Sequence, residues 1–225
     1  MQHPPYLKKG STIGITCPAG YVSNERVYPA IEFLQEKGFR VKVGNTVGNE
    51  FHYFSGDDDT RFQDLQNMLD DKSLDAILMG RGGYGLSRII DRLDLKKLQQ
   101  HPKWICGFSD ITVLHNHIQA RLGIPSFHSP MCGALKEENE EKNYVVQFFQ
   151  ALAGDELEYH TPYSAYNRPG SAEGILTGGN LAILAHLTGS SSEVNTDGKI
   201  LFIEDIGEHL YHIDRLLLNL KRAGK

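Results

Sequence analysis

The sequence predicts an α/β chain: a mostly parallel, doubly wound N-terminal domain, then a second, smaller α/β C-terminal domain. Two observations predict it. Short apolar, β-branched runs alternate with stretches of helical spacing and are joined by short loops, the pattern of a parallel sheet covered on both faces. A stretch rich in Pro, Tyr and Ser at 155–170 then reads as a linker between residues 1–154 and residues 171–225.

Each element has its own signal. Residues 12–16 (TIGIT) form an apolar strand stopped by Pro18-Ala19-Gly20. Val27, Ala30, Ile31 and Leu34 fall at spacings of three and four, so 24–37 is a helix, and Gly38 ends it. Residues 39–43 are the second strand. Asp57-Asp58-Asp59 favours the start of a helix through the dipole, and Phe62, Leu65, Met68 and Leu69 mark its buried face. Strands at 74–79 and 104–108 follow, each leading into a helix (86–93 and 111–122), and 124–128 is a fifth strand. The charge run at 137–141 is a solvated face feeding an amphipathic helix at 144–152. Beyond the linker come a strand at 174–176, a glycine-rich turn at 177–180, a helix at 181–187 and an apolar strand at 200–203. A last helix carries Leu210, Ile213, Leu216, Leu217 and Leu220 on one face.

Composition excludes several classes. With 225 residues, 40% hydrophobic and 23% charged, the chain can bury a real core. A net charge of −5, with no basic cluster denser than Lys221-Arg222, leaves no electrostatic case for nucleic acid. Cys17, Cys106 and Cys132 are odd in number and scattered, the usage of reduced thiols in a cytoplasmic protein. The first ten residues lack the apolar core of a signal peptide, and no run approaches membrane-spanning length, so neither export nor a membrane partner is expected.

Three constellations could carry chemistry. The strand at 104–108 runs directly into Ser109-Asp110 and a helix. A serine there is either a helix cap or a nucleophile lifted above the sheet edge. Gly80-Arg81-Gly82-Gly83-Tyr84-Gly85 follows the third strand; it fits a dinucleotide fingerprint weakly, with Asp110 a loose match for the ribose ligand. It equally fits a loop that aims backbone N–H groups at an oxyanion. Both loops leave carboxyl ends of strands, so they open on one edge of the sheet, where ligands of such folds bind. Glu204-Asp205 ends the apolar strand of the second domain, with Glu208, His209, His212 and Asp214 close behind. The His209/His212 spacing falls short of a zinc signature, and no cofactor or metal is expected. His115 and His117 point to different sides of one helix.

Taken in order, these motifs resemble the LD-carboxypeptidase family of serine peptidases, which also includes microcin C self-immunity hydrolases. The resemblance rests on Cys17-Pro18-Ala19, Gly56-Asp57-Asp58-Asp59-Thr60-Arg61 with Asp64-Leu65, Arg81-Gly82-Gly83-Tyr84-Gly85 and Gly107-Phe108-Ser109-Asp110. It continues through His128-Ser129-Pro130-Met131, Leu176-Thr177-Gly178-Gly179-Asn180, Ile203-Glu204-Asp205 and Tyr211 to Arg215. It implies a Ser–His–Glu triad on a two-domain fold, with Ser109 as nucleophile and Glu204 orienting the histidine. It implies an oxyanion hole from the backbone of Asp110 and of Gly82 or Gly83, and it puts Asn180 and Gly179 near the substrate. The implied reaction hydrolyses the L,D-amide before terminal D-alanine in murein tetrapeptides during cytoplasmic cell-wall recycling, by an enzyme commonly dimeric. None of the ten histidines stands where the family carries its general base, beyond the glutamate. We therefore expect a piece of a longer enzyme with an incomplete second domain, in which Ser109 lacks a base and kcat falls by roughly 10⁶. His128 is the best substitute among those present, and it reads more readily as a core histidine.

Overall fold

Five strands, β1 (Thr12–Thr16), β2 (Arg40–Val43), β3 (Ala76–Met79), β4 (Trp104–Gly107) and β5 (Phe127–His128), pair in parallel in the order β2-β1-β3-β4-β5. The computed structural model describes residues 3–225. Helices α1 (Asn24–Glu36) and α5 (Asn143–Ala153) cover one face of the sheet, closing a core around Ile13, Ile15, Val27, Phe33, Leu34, Trp104 and Phe148. Helices α2 (Asp58–Asp70), α3 (Lys96–Gln100) and α4 (Thr112–Leu122) cover the other, with Leu65, Leu69, Ile77, Met79, Ile105, Leu114 and Ile118. β3 serves both cores: Ala76 and Leu78 face one layer, Ile77 and Met79 the other, the two-residue period of a strand. Burial on both faces is why β3 and β4 read as unbroken apolar runs.

Polar side chains tie the carboxyl ends of the strands together. The Asp64 carboxylate accepts hydrogen bonds from Thr16 Oγ1 (2.7 Å), Asn45 N (2.7 Å) and Thr46 Oγ1 (2.6 Å), joining the ends of β1 and β2. Asp57 caps α2, accepting from Thr60 N at 2.7 Å, while Asp58 pairs with Arg61 and Arg88 and Asp59 with Arg92.

The remaining elements form a smaller α/β unit. β6 (Ile175–Asn180) and β7 (Lys199–Glu204) pair in parallel, and α6 (Leu181–Leu187) and α7 (Leu210–Arg222) pack around Leu181, Leu184, Val194 and Leu220. This unit docks on α4: Asn116 Nδ2 donates to Gly178 O (3.1 Å), Gln119 Nε2 to Leu176 O (3.3 Å), and the Asn180 amide to Thr112 Oγ1 (3.1 Å).

Three local expectations are corrected. Residues 86–93 are two single 3-10 turns, Leu86–Arg88 and Ile90–Arg92, rather than a helix. Gly85 enters the first of them at φ +146°, and Ile89, at φ −122° and outside helical geometry, separates the two. The fifth strand keeps only two residues, Phe127 and His128. Residues 177–180 are not a turn. They continue β6, with Gly178 and Gly179 at φ +132° and +135°, because a Cβ on Gly178 would lie 1.8 Å from Phe202 O of the neighbouring strand.

Candidate active site

Ser109 stands where β4 leaves the sheet. The strand is buried throughout, Phe108 swings out to 39% exposure, and Ser109 takes φ +64°, the left-handed region that an L-residue enters at a cost of roughly 1–2 kcal/mol. It opens a 3-10 turn, Ser109–Ile111, that runs into α4. A capping serine has extended backbone and gives its oxygen to an amide of the first helical turn. Ser109 does neither: among the described residues its hydroxyl has no hydrogen-bond partner. Strained backbone at a sharp strand-to-helix turn is how such folds present a nucleophile.

The glycine loop lies across this serine. A Cβ on Gly82 would sit 3.1 Å from Ser109 Cβ and 3.3 Å from its Oγ, so a side chain there would crowd the serine, and glycine leaves the backbone free to come this close. The loop is held on two sides. Gly20 N donates to Gly82 O (3.0 Å) from the loop after β1, at the point where the strand order reverses. Leu86 N donates to Asp110 Oδ2 (3.0 Å), tying the loop to the serine turn. Arg61, fully buried, braces the rear through Gly56 O (3.2 Å), Pro18 O (2.7 Å) and Gly85 O (3.0 Å) and pairs with Asp58. The amides of Gly82, Gly83 and Asp110 donate to no acceptor among the described residues. Gly83, at φ +109°, faces the Tyr53 hydroxyl.

Glu204 arrives from the other unit. It ends β7 opposite Asn180, and β6 packs against the Ser109 turn. Its Oε1 is buried without a partner and lies 3.8 Å from His128 Nε2, the two side chains being 29% and 27% exposed. This is a near approach rather than an ion pair: burial raises the Glu204 pKa and lowers that of His128, so each is pushed toward its neutral form. Asn180 caps α6, accepting from Ile183 N (3.2 Å), and its Nδ2 reaches Asp205 Oδ1 (3.3 Å). Asp205 also accepts from Ala182 N (3.0 Å), so its carboxylate serves the start of α6. Gly179 packs against Thr112, which a Cβ there would approach to 2.7 Å.

Four buried side-chain atoms lack a partner among the described residues: Asp110 Oδ1, His115 Nδ1, Asn116 Oδ1 and Glu204 Oε1. All four lie on the serine turn, on α4 or at the end of β7. An unsatisfied buried polar atom costs about 1–3 kcal/mol, so this seam is built at the expense of stability. Burial pushes Asp110 up to about 6 and His115, whose Nε2 lies 2.9 Å from Gly107 O, down to about 4.

The other motifs go elsewhere. No full helix follows the glycine loop, so the helix N-terminus on which a dinucleotide fingerprint seats its pyrophosphate is not formed there. His212 pairs with Glu208 one turn away, His209 stacks on Tyr211, and His117 Nδ1 meets Ser192 Oγ at 2.7 Å.

A family profile described as LD-carboxypeptidase N-terminal domain matches residues 13–129, and one described as LD-carboxypeptidase C-terminal domain matches 173–225. The chain belongs to the LD-carboxypeptidase family. Within that family it is 38% identical to the probable murein peptide carboxypeptidase of Bacillus subtilis, over 99% of this chain and 70% of that one. Among solved family structures, the MccF-like protein of Bacillus anthracis superposes with a TM-score of 0.87 at 28% identity, covering 99% of this chain and 76% of that one. The muramoyltetrapeptide carboxypeptidase of Oxalobacter formigenes superposes at 0.83 and 29% identity, covering 95% and 72%.

Sequence reading missed two groups here. The reach of Arg61 to Pro18 O and Gly85 O and the Asp110–Leu86 tie each join residues at least 24 positions apart, and no local spacing announces such a pairing.

Proposed function

We propose that the chain is a serine LD-carboxypeptidase that hydrolyses the L,D-amide before terminal D-alanine in murein tetrapeptides. Ser109 is the nucleophile. The amides of Asp110 and of Gly82 or Gly83 receive the oxyanion, Glu204 orients the base, and Asn180 with Gly179 borders the substrate. The observation that carries this reading is the strained Ser109 turn lying under Gly82, a nucleophile and a row of uncommitted amides within one contact. The partner is a small peptide; no nucleic acid, membrane, metal or cofactor enters. Free, buried Cys17, Cys106 and Cys132 support a cytoplasmic address, and among the described residues no helix is long and apolar enough to cross a membrane.

None of the ten histidines stands at the position the family resemblance implies for the base, and we propose that turnover by this stretch of chain depends on a base supplied to Ser109. The test is D-alanine release from a murein tetrapeptide with and without added imidazole. Imidazole should accelerate release from the parent chain and do nothing for Ser109→Ala; release that persists in Ser109→Ala overturns the assignment. If His128 serves as base through its approach to Glu204, His128→Gln removes the unaided rate and leaves the imidazole-dependent rate in place. A second reading, cleavage of an aminoacyl-nucleotide amide, is favoured by the likeness to the MccF-like structure; presenting both substrates to the parent chain separates the two.

A further inference from the structure

A cavity of about 370 Å³ opens beside the serine turn, lined by Val22, Arg26, Gly80, Arg81, Phe108, Met131, Gly133, Ala134, Asn139 and Tyr144. It shares Phe108 with the serine turn and Gly80-Arg81 with the glycine loop. No acidic residue lines it, and two arginines do. Among the described residues neither Arg26 nor Arg81 has an acidic partner within 4 Å, although the chain as a whole is acidic. Arg81 spends one N–H on Tyr21 O (2.5 Å), which fixes the guanidinium and leaves its other donors uncommitted; the Arg26 side chain donates to no acceptor among the described residues. The other basic side chains around the glycine loop are spoken for: Arg61 and Arg88 both pair with Asp58.

We propose that this cavity is the subsite for the free carboxylate of the substrate's terminal residue, with Arg81 as its fork and Arg26 as a second positive charge. The inference rests on the carboxypeptidase reading and deepens it. An uncommitted, pre-oriented guanidinium recognises a carboxylate through two parallel hydrogen bonds. The apolar share of the lining (Val22, Phe108, Met131, Ala134) suits the small side chain such a residue carries. The same pair accounts for an exopeptidase rather than an endopeptidase: a chain continuing past the scissile bond would have a neutral amide against two cations.

The experiment is calorimetric titration of the full chain, in the Ser109→Ala background, with a murein tetrapeptide ending in D-alanine and with its C-terminal carboxamide. Charge-assisted hydrogen bonds predict that the acid binds about tenfold tighter than the amide, or better. Arg81→Gln should bring that ratio near one, Arg81→Lys should restore part of it, and Arg26→Gln should lower it less. Unchanged circular dichroism melts in each variant establish folding. Equal binding of acid and amide by the arginine-bearing chain, or a ratio that survives Arg81→Gln, overturns the subsite and leaves the carboxypeptidase reading standing. If neither peptide binds but an aminoacyl-nucleotide analogue does, the carboxypeptidase reading fails and the subsite with it.

Discussion

At the scale of single residues, Asp110 shows how the site trades stability for geometry. Its amide is a candidate oxyanion donor, while its carboxylate, buried with one oxygen unpartnered, holds the Leu86 amide and so the glycine loop. Burial holds its pKa near 6, above the unfolded value of 3.8. Its contribution to stability is therefore present below pH 3.8 and lost as pH rises through 6. His115 behaves oppositely: with a folded pKa near 4 against 6.5 unfolded, its contribution is present above 6.5 and lost as pH falls through 4. Between pH 4 and 6 the two slopes oppose each other. Asp110→Asn removes one of them, so the variant should gain stability relative to the parent as pH rises from 4 to 6, by up to about 3 kcal/mol, read from urea unfolding at successive pH values. A difference flat across that range would show that the carboxylate is not held protonated. Gly82→Ala should spare the fold more than the chemistry, since its Cβ meets the Ser109 side chain at 3.1 Å and Phe108 O at 3.3 Å, approaches that a shift of a few tenths of an ångström relieves but that displace the serine; imidazole-stimulated D-alanine release, compared with the melting temperature, checks this.

At the scale of elements, β6 is the informative case. Its glycines look like a turn because Gly-Gly-Asn is a strong turn signal. They are strand because β7 and α4 both press on this backbone: Phe202 O excludes any side chain at Gly178, and Thr112 does the same at Gly179. Gly178→Ala should therefore separate β6 from β7, with a penalty above the ~1–3 kcal/mol usual for overpacking. Hydrogen exchange would show this as lost protection across 175–180 and 199–204, while β1, β3 and β4 stay protected. Uniform loss over both sheets would mean that the two units unfold together. The 86–93 segment teaches the converse. Its apolar spacing is helical, but Ile89 sits at φ −122°, outside helical geometry, and divides the segment into two 3-10 turns.

At the scale of the whole molecule, the candidate site is a seam. One side is the carboxyl edge of the five-stranded sheet; the other is the end of β7, brought there because β6 and α6 dock on α4. The smaller unit keeps much apolar surface exposed, including Leu176 (62%), Ile206 (88%), Leu210 (85%) and Leu218 (48%). Exposed apolar area of this kind drives association. We therefore predict a homodimer whose contact includes this surface: light scattering should give a mass that rises with concentration, and Leu210→Glu with Leu218→Glu should return it to that of the monomer. A constant monomer mass for the parent chain would sink this.

The sequence by itself determined the parallel sheet, its order of elements and the two loops that meet at its edge. Strands buried on both faces must be continuous apolar runs, and helices over them must be amphipathic, so the pattern is written locally. It also marked Ser109, the glycine loop and Glu204 as candidates. Only the tertiary structure decided what surrounds them. The left-handed Ser109 backbone, the approach of His128 to Glu204, the buried Arg61 brace and the arginine-lined cavity each depend on residues far apart in sequence. Such pairings are set by how elements pack, and no periodicity along the chain encodes them.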